Sequence, residues 1–127
     1  MAVATLCMLC SCTSAHKQAE RLVAEYQQKA DSVSQELDST NVSFTPEEWE
    51  YVEAYSNMFK YKTAGIVAEN WKLTSRDFYQ ESGKYAEKAG KLEVALSDKQ
   101  QDYMSKWSEL KMYEATVFIL KKWQELH

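Results

Sequence analysis

After Cys12 the chain has no cysteine, and its 127 residues include only three glycines, one proline and two histidines. Each scarcity closes a class. Without later cysteines no disulfide framework can staple the domain, so its stability must come from packing alone. With so little turn punctuation a strand-and-turn architecture is excluded, and long helices are expected. Gly65, Gly83 and Gly90 stand singly inside helical patterns, so there is no glycine-rich loop to cradle a phosphate. His16 and His127 lie near opposite ends of the chain, where segments are usually poorly ordered. A general base or metal ligand in fixed geometry is therefore not expected at either. No Ser-His-Asp or Cys-His order can be built after Cys12, and no Glu-x-x-His pair exists for a di-metal bundle. The expectation is a protein with no catalytic site, cofactor or metal. A net charge of -4 also argues against nucleic acid as a partner.

What is present begins with an apolar, uncharged lead. Residues 1–14 carry no charge, and the first basic residue is Lys17. The run is too short to span a bilayer, which needs about 20 residues. It closes on Leu9-Cys10-Ser11-Cys12, an aliphatic residue, a small one and then a cysteine, as the end of a secretory signal does. On this reading residues 1–11 are a signal remnant, with the true start upstream, and residues 12–127 form one domain anchored by a lipid on Cys12. Two other readings stand beside it. Cys7, Cys10 and Cys12 have a spacing found among thiolate metal ligands, but no later cysteine supplies a fourth. The segment can also be the plain terminus of a cytosolic protein.

The remainder is 45% apolar and 27% charged over the whole chain, as globular domains are. From Ala15 to about Thr40 the apolar positions Ala19, Val23, Tyr26, Ala30, Val33 and Leu37 alternate spacings of four and three, which predicts a helix burying one narrow stripe. The polar run Asp38-Ser39-Thr40 ends it. Thr45, Pro46 and Glu48 then form a capping box with proline at the first helical position, and Phe44 with Trp49 forms a hydrophobic staple. This second helix runs to about Lys72. Thr74 is the expected cap of a third, with Asp77 as box partner and Leu73 with Phe78 as staple. The third helix buries Phe78, Ser82, Tyr85, Ala89, Leu92 and Leu96, and Gly83 and Gly90 on its flank would permit close packing. Ser97 with Gln100 signals a fourth start. The apolar phase nevertheless continues through Tyr103, Leu110, Tyr113, Val117 and Leu120, so fusion of the last two helices is the alternative. Short connections make successive helices antiparallel, predicting an all-α, up-down four-helix bundle with coiled-coil-like spacing.

Aromatic residues are the one enriched class, with four Trp, eight Tyr and four Phe. On the second helix Trp49, Val52, Tyr55, Phe59, Ile66, Val67 and Trp71 share a face, and Tyr51 and Met58 widen it to an arc of roughly 220° where a bundle helix needs about 100°. Either this helix is the most buried one, or Tyr51, Tyr55 and Met58 belong to a surface for a protein partner. The acidic set Glu47, Glu48, Glu50 and Glu53 is read as a solvated helix start rather than a cation site.

The lipobox-like Leu9-Cys10-Ser11-Cys12, the short polar lead and the Phe44-Thr-Pro-Glu-Glu-Trp49 helix start resemble the small helical lipoproteins common in Bacteroidota. The resemblance implies an uncharacterised protein of the bacterial cell envelope, membrane-anchored through Cys12. Thr13-Ser-Ala-His-Lys17 lacks the acidic residues associated in that group with surface export, which favours a periplasm-facing position over the cell surface. It also implies candidate O-glycosylation at Ser32 and Ser39, within Asp31-Ser32-Val33 and Asp38-Ser39-Thr40. The resulting expectation is a non-catalytic, envelope-tethered structural or binding module. The alternatives are an accessory subunit of a larger envelope complex and a soluble cytosolic helical protein.

Overall fold

The computed structural model describes the backbone of residues 2–127 and the side chains of residues 14–127. Four helices follow one another: α1 (Ala2–Asp38), α2 (Pro46–Asn70), α3 (Arg76–Lys91) and α4 (Asp98–Leu126). No strand occurs among the described residues. The chain is an all-α, antiparallel four-helix bundle, and the break at Ser97-Asp98 separates α3 from α4.

Helix starts follow the local signals closely at two of the three loops. At α2 the Thr45 hydroxyl accepts from the Glu48 N–H (3.2 Å), and the Glu48 carboxylate accepts from the Thr45 N–H (2.8 Å). The Phe44 and Trp49 rings lie 5.6 Å apart, completing the staple. At α4 the Ser97 hydroxyl and the Gln100 side chain make the same reciprocal pair. The two boxes then join, because the Gln100 amide donates to the Glu48 carboxylate (3.3 Å) and to the Ser43 carbonyl (3.1 Å). The inner ends of α2 and α4 thereby start side by side.

The start of α3 differs from expectation. Its N-cap is Ser75, with helical backbone angles and no side-chain cap, instead of Thr74 boxed with Asp77. The cause lies upstream, in how α2 ends. Lys72 has φ 61; its N–H donates to the Glu69 carbonyl (3.2 Å), and the Leu73 N–H donates to the Ala68 carbonyl (2.7 Å). This is a Schellman stop with lysine where glycine is usual. It turns Leu73 onto the apolar cluster of Ala64, Ala68, Ala115 and Ile119, where Phe78 also packs. That anchoring of the connection sets where α3 begins. The helix also ends at Lys91, so Leu92 and Leu96 lie half-buried in the following connection rather than on its stripe. At the other end of the chain, α1 starts at Ala2 rather than Ala15.

Successive helices alternate in direction, but their order in space is α1, α4, α2, α3. α4 lies between α1 and α2, and among the described residues α1 packs on α4 alone. α4 carries two apolar stripes where the spacing of its apolar residues predicts one. Leu110, with half-buried Tyr103, Trp107 and Tyr113, meets Ala30, Val33 and Leu37 of α1. Ala115 and Ile119 meet Ala64 and Ala68 of α2. Small residues at this second seam let the two backbones approach closely. Aromatic rings brace both ends, with Trp49 on Trp107 (5.4 Å) and Trp71 on Trp123 (4.8 Å). These pairings run in the same order along both helices, so α2 and α4 are parallel. α3 completes the bundle from the far side of α2, where the Ser82 hydroxyl donates to the Met58 carbonyl (2.9 Å).

The glycines divide unexpectedly. Gly83 and Gly90 are exposed, and a Cβ on either would meet nothing within 4 Å, so neither serves close packing. The close approach is at Gly65, which is buried; a Cβ there would stand 2.7 Å from the Tyr79 ring. Tyr79 is held in place by a hydrogen bond to the Glu69 carboxylate (2.7 Å), which raises its hydroxyl pKa.

Candidate functional site

The expected surface on α2 starts from the i, i+4 spacing of Tyr51, Tyr55 and Phe59, which brings side chains one above another on a helix. Their rings form a continuous ladder. Tyr51 stacks on Tyr55 (centroids 6.2 Å apart), and Tyr55 meets Phe59 edge-on (5.0 Å). All three are half-buried, and Ile66, two turns along the same arc, is 44% exposed. Met58 is half-buried at the edge nearest α3, where its carbonyl takes the Ser82 bond. Tyr51 and Tyr55 are thus brought together, while Met58 belongs to the seam with α3. A ladder of this kind offers an apolar, shape-defined strip with hydroxyls at its margin, and it carries no nucleophile, base or metal donor set.

The other candidate residues are scattered. Ser32 is exposed on α1. Ser39, just past its end, is exposed and donates to the Glu36 carbonyl (2.9 Å). Thr40 bonds the same carbonyl, so Asp38-Ser39-Thr40 does stop the helix. The side chains of Cys7, Cys10 and Cys12 lie outside the described residues, and with them the lipidation position and the thiolate metal reading. Glu48 serves the capping box. Among the described residues no three His, Cys, Asp or Glu side chains converge as a metal site would require.

No family model, curated protein or solved structure matches this chain. The site therefore stands on its own geometry.

Two features escaped sequence reasoning. The histidines from the two ends of the chain meet on one residue: the His16 ring is 5.0 Å from Trp123, and the His127 ring stacks on it at 4.6 Å. His127 Nδ1 also lies 3.0 Å from the Trp123 carbonyl. No pattern in the sequence relates residues so far apart. The second feature is Phe118, 60% exposed in the middle of α4. It rises between a groove of ≈ 410 Å³ bordered by Tyr61 and Phe78 and another bordered by Ala30 and Leu110 of the α1 seam. It lies outside both stripes of α4, which is evident only once the structure shows that there are two. Beside these, Tyr113 is held by the Glu109 carboxylate, which pushes its hydroxyl pKa up to about 12, and burial adds to the effect. At neutral pH that hydroxyl is a proton donor within a structural pair.

Proposed function

We propose that this chain is a non-catalytic, lipid-anchored module of a bacterial envelope that holds a protein partner on the Tyr51–Tyr55–Phe59 strip of α2. The anchor is supported by Leu9-Cys10-Ser11-Cys12, a lipobox-like end to an uncharged lead, and by its resemblance to the small helical lipoproteins of Bacteroidota. His16 packs against Trp123 near the last residue, so the segment carrying Cys12 enters the bundle at the end where α4 stops. Tethering there would hold the domain by that end and leave the strip on α2 free along its flank. The observation that carries the binding role is the ladder itself. Three adjacent rings form a contiguous apolar strip, of the kind that partners cover, and Ile66 is exposed two turns further along the helix. An accessory subunit of a larger complex would use the same surface, and would differ only in losing that complex's activity when the strip is changed.

Two measurements test the reading. Cys12→Ala should move the protein from the detergent phase to the aqueous phase; unchanged partitioning ends the anchor. Tyr51→Ser combined with Tyr55→Ser should weaken crosslinking to a native envelope partner while shifting the melting temperature by only a few degrees. A double variant that fails to fold would make both residues core and remove the binding surface.

A further inference from the structure

We propose that the open face of α4 is a self-association surface, pairing two copies of this chain antiparallel about a two-fold axis through Phe118. The surface is separate from the α2 strip. Lys111, Glu114, Phe118, Lys121 and Glu125 are spaced three, four, three and four, so they form one stripe along the helix. Glu114, Lys121 and Glu125 are exposed and Lys111 is half-buried, with its ammonium 4.5 Å from the Trp107 ring. Among the described residues none of these charges makes an ion pair within the chain. Phe118, the stripe's central residue, is 60% exposed.

The order of the charges names the occupant. An isologous contact sets each residue against the one equally far on the other side of the axis. In an antiparallel pair centred on Phe118, Lys111 therefore faces Glu125 of the second copy, and Glu114, four residues before the axis, comes within one residue (about 1.5 Å of rise) of Lys121, three residues after it. Each pair occurs twice, and all are of opposite sign. A parallel pair would set Lys111 on Lys111 and Glu114 on Glu114, which like-charge repulsion disfavours. The two Phe118 rings meet on the axis and cover the apolar surface that each copy leaves in water. Complementarity of this kind fits a second copy of the same helix and selects its direction.

The test uses the full chain carrying Cys7→Ser, Cys10→Ser and Cys12→Ser, which removes lipid and stray disulfides. Sedimentation over micromolar to submillimolar concentrations should show a monomer–dimer equilibrium. Glu114→Lys and Lys121→Glu should each raise the dissociation constant by about tenfold or more, because each creates two like-charge contacts. The Glu114→Lys, Lys121→Glu double variant should restore dimerisation, which a misfolded protein would not do. In the same background Phe118→Cys should crosslink to its own copy on oxidation. Glu114→Cys should not, since its two copies lie about 12 Å apart along the helices. A chain that stays monomeric throughout, a double variant that fails to restore the dimer, or Glu114→Cys crosslinking as readily as Phe118→Cys would overturn the proposal.

Discussion

The inner helices of this bundle, α2 and α4, and the outer ones, α1 and α3, draw on the same residue types but bury different numbers of sides. Among the described residues α1 presents one stripe, Ala19, Ala30, Val33 and Leu37, and packs on one neighbour. α3 buries only Ser82 and Ala89 fully. α4 buries nine residues on two stripes, and α2 carries Val52, Ala54, Ser56, Ala64, Gly65 and Ala68 between two neighbours. The Trp49 and Trp71 edge of the apolar arc read from α2 packs on α4, whereas the small residues Ala64, Gly65 and Ala68, through which α2 meets its two neighbours, lie outside that arc. The Tyr51–Tyr55–Phe59 ladder is the part of that arc lying at its edge. The apolar surface that this inner helix leaves half-covered is the one proposed above for a partner.

The largest expected effect compares the two seams of α4. Ile119 is 1% exposed and surrounded by Ala64, Ala68 and Ala115, residues too small to collapse into a void. Ile119→Ala should cost ~4 kcal/mol, near the upper end for such truncations. Leu37, 6% exposed near the end of an outer helix, has neighbours that can relax; Leu37→Ala should cost ~2 kcal/mol. Denaturant unfolding of both variants measures the difference. Equal costs would mean that inner and outer helices are not distinct in stability.

A middle-sized effect has opposite signs at different glycines. Gly65→Ala must displace the Tyr79 ring from its bond to Glu69, and overpacking of this kind should cost ~1–2 kcal/mol. Gly83→Ala and Gly90→Ala add a methyl into open space on an outer helix, and each should stabilise by about 0.5–1 kcal/mol. Melting temperatures that fall for the first and rise for the others would sharpen the comparison. A rise for all three would show that α2 and α3 are not in close register at Gly65.

The smallest effect concerns the joint between the two inner helices. The Glu48 carboxyl is held below its ordinary value of 4.5, chiefly by the Thr45 backbone N–H, with the Thr45 hydroxyl and the Gln100 amide adding to this and burial opposing it. A carboxyl with a lowered folded-state pKa contributes stability that is complete above its unfolded value and is lost as pH falls below 4.5 through the folded value. The melting temperature should therefore drop less on acidification in Glu48→Gln than in the parent. Identical acid profiles would detach Glu48 from the stability of the joint.

The features legible in advance were those made by neighbours in sequence. Thr45 and Glu48 stand three residues apart, as do Ser97 and Gln100, and the hydrogen bonds they make need no other part of the chain. The stripe of α1 and the stacking of Tyr51 on Tyr55 likewise follow from helical spacing. The start of α3 was misplaced because Thr74 competed with a Schellman stop that depends on Leu73 finding the cluster built by α2 and α4. The glycine reading failed for a similar reason, since a Cβ clash is a property of the facing helix.

The sequence by itself determined the helical class, the alternating direction of successive helices and the residues at which two of them begin, because each rests on spacing or on hydrogen bonds closed within a few residues; it left open whether α3 and α4 are one helix or two, and the structure separates them. Only the tertiary structure decided that α4 inserts between α1 and α2, that His16 and His127 share Trp123, and that Phe118 is left in water. Those outcomes depend on which apolar stripes pair across long separations. Many pairings bury similar areas, and the choice rests on how small residues such as Ala64, Ala68 and Ala115 let particular backbones approach.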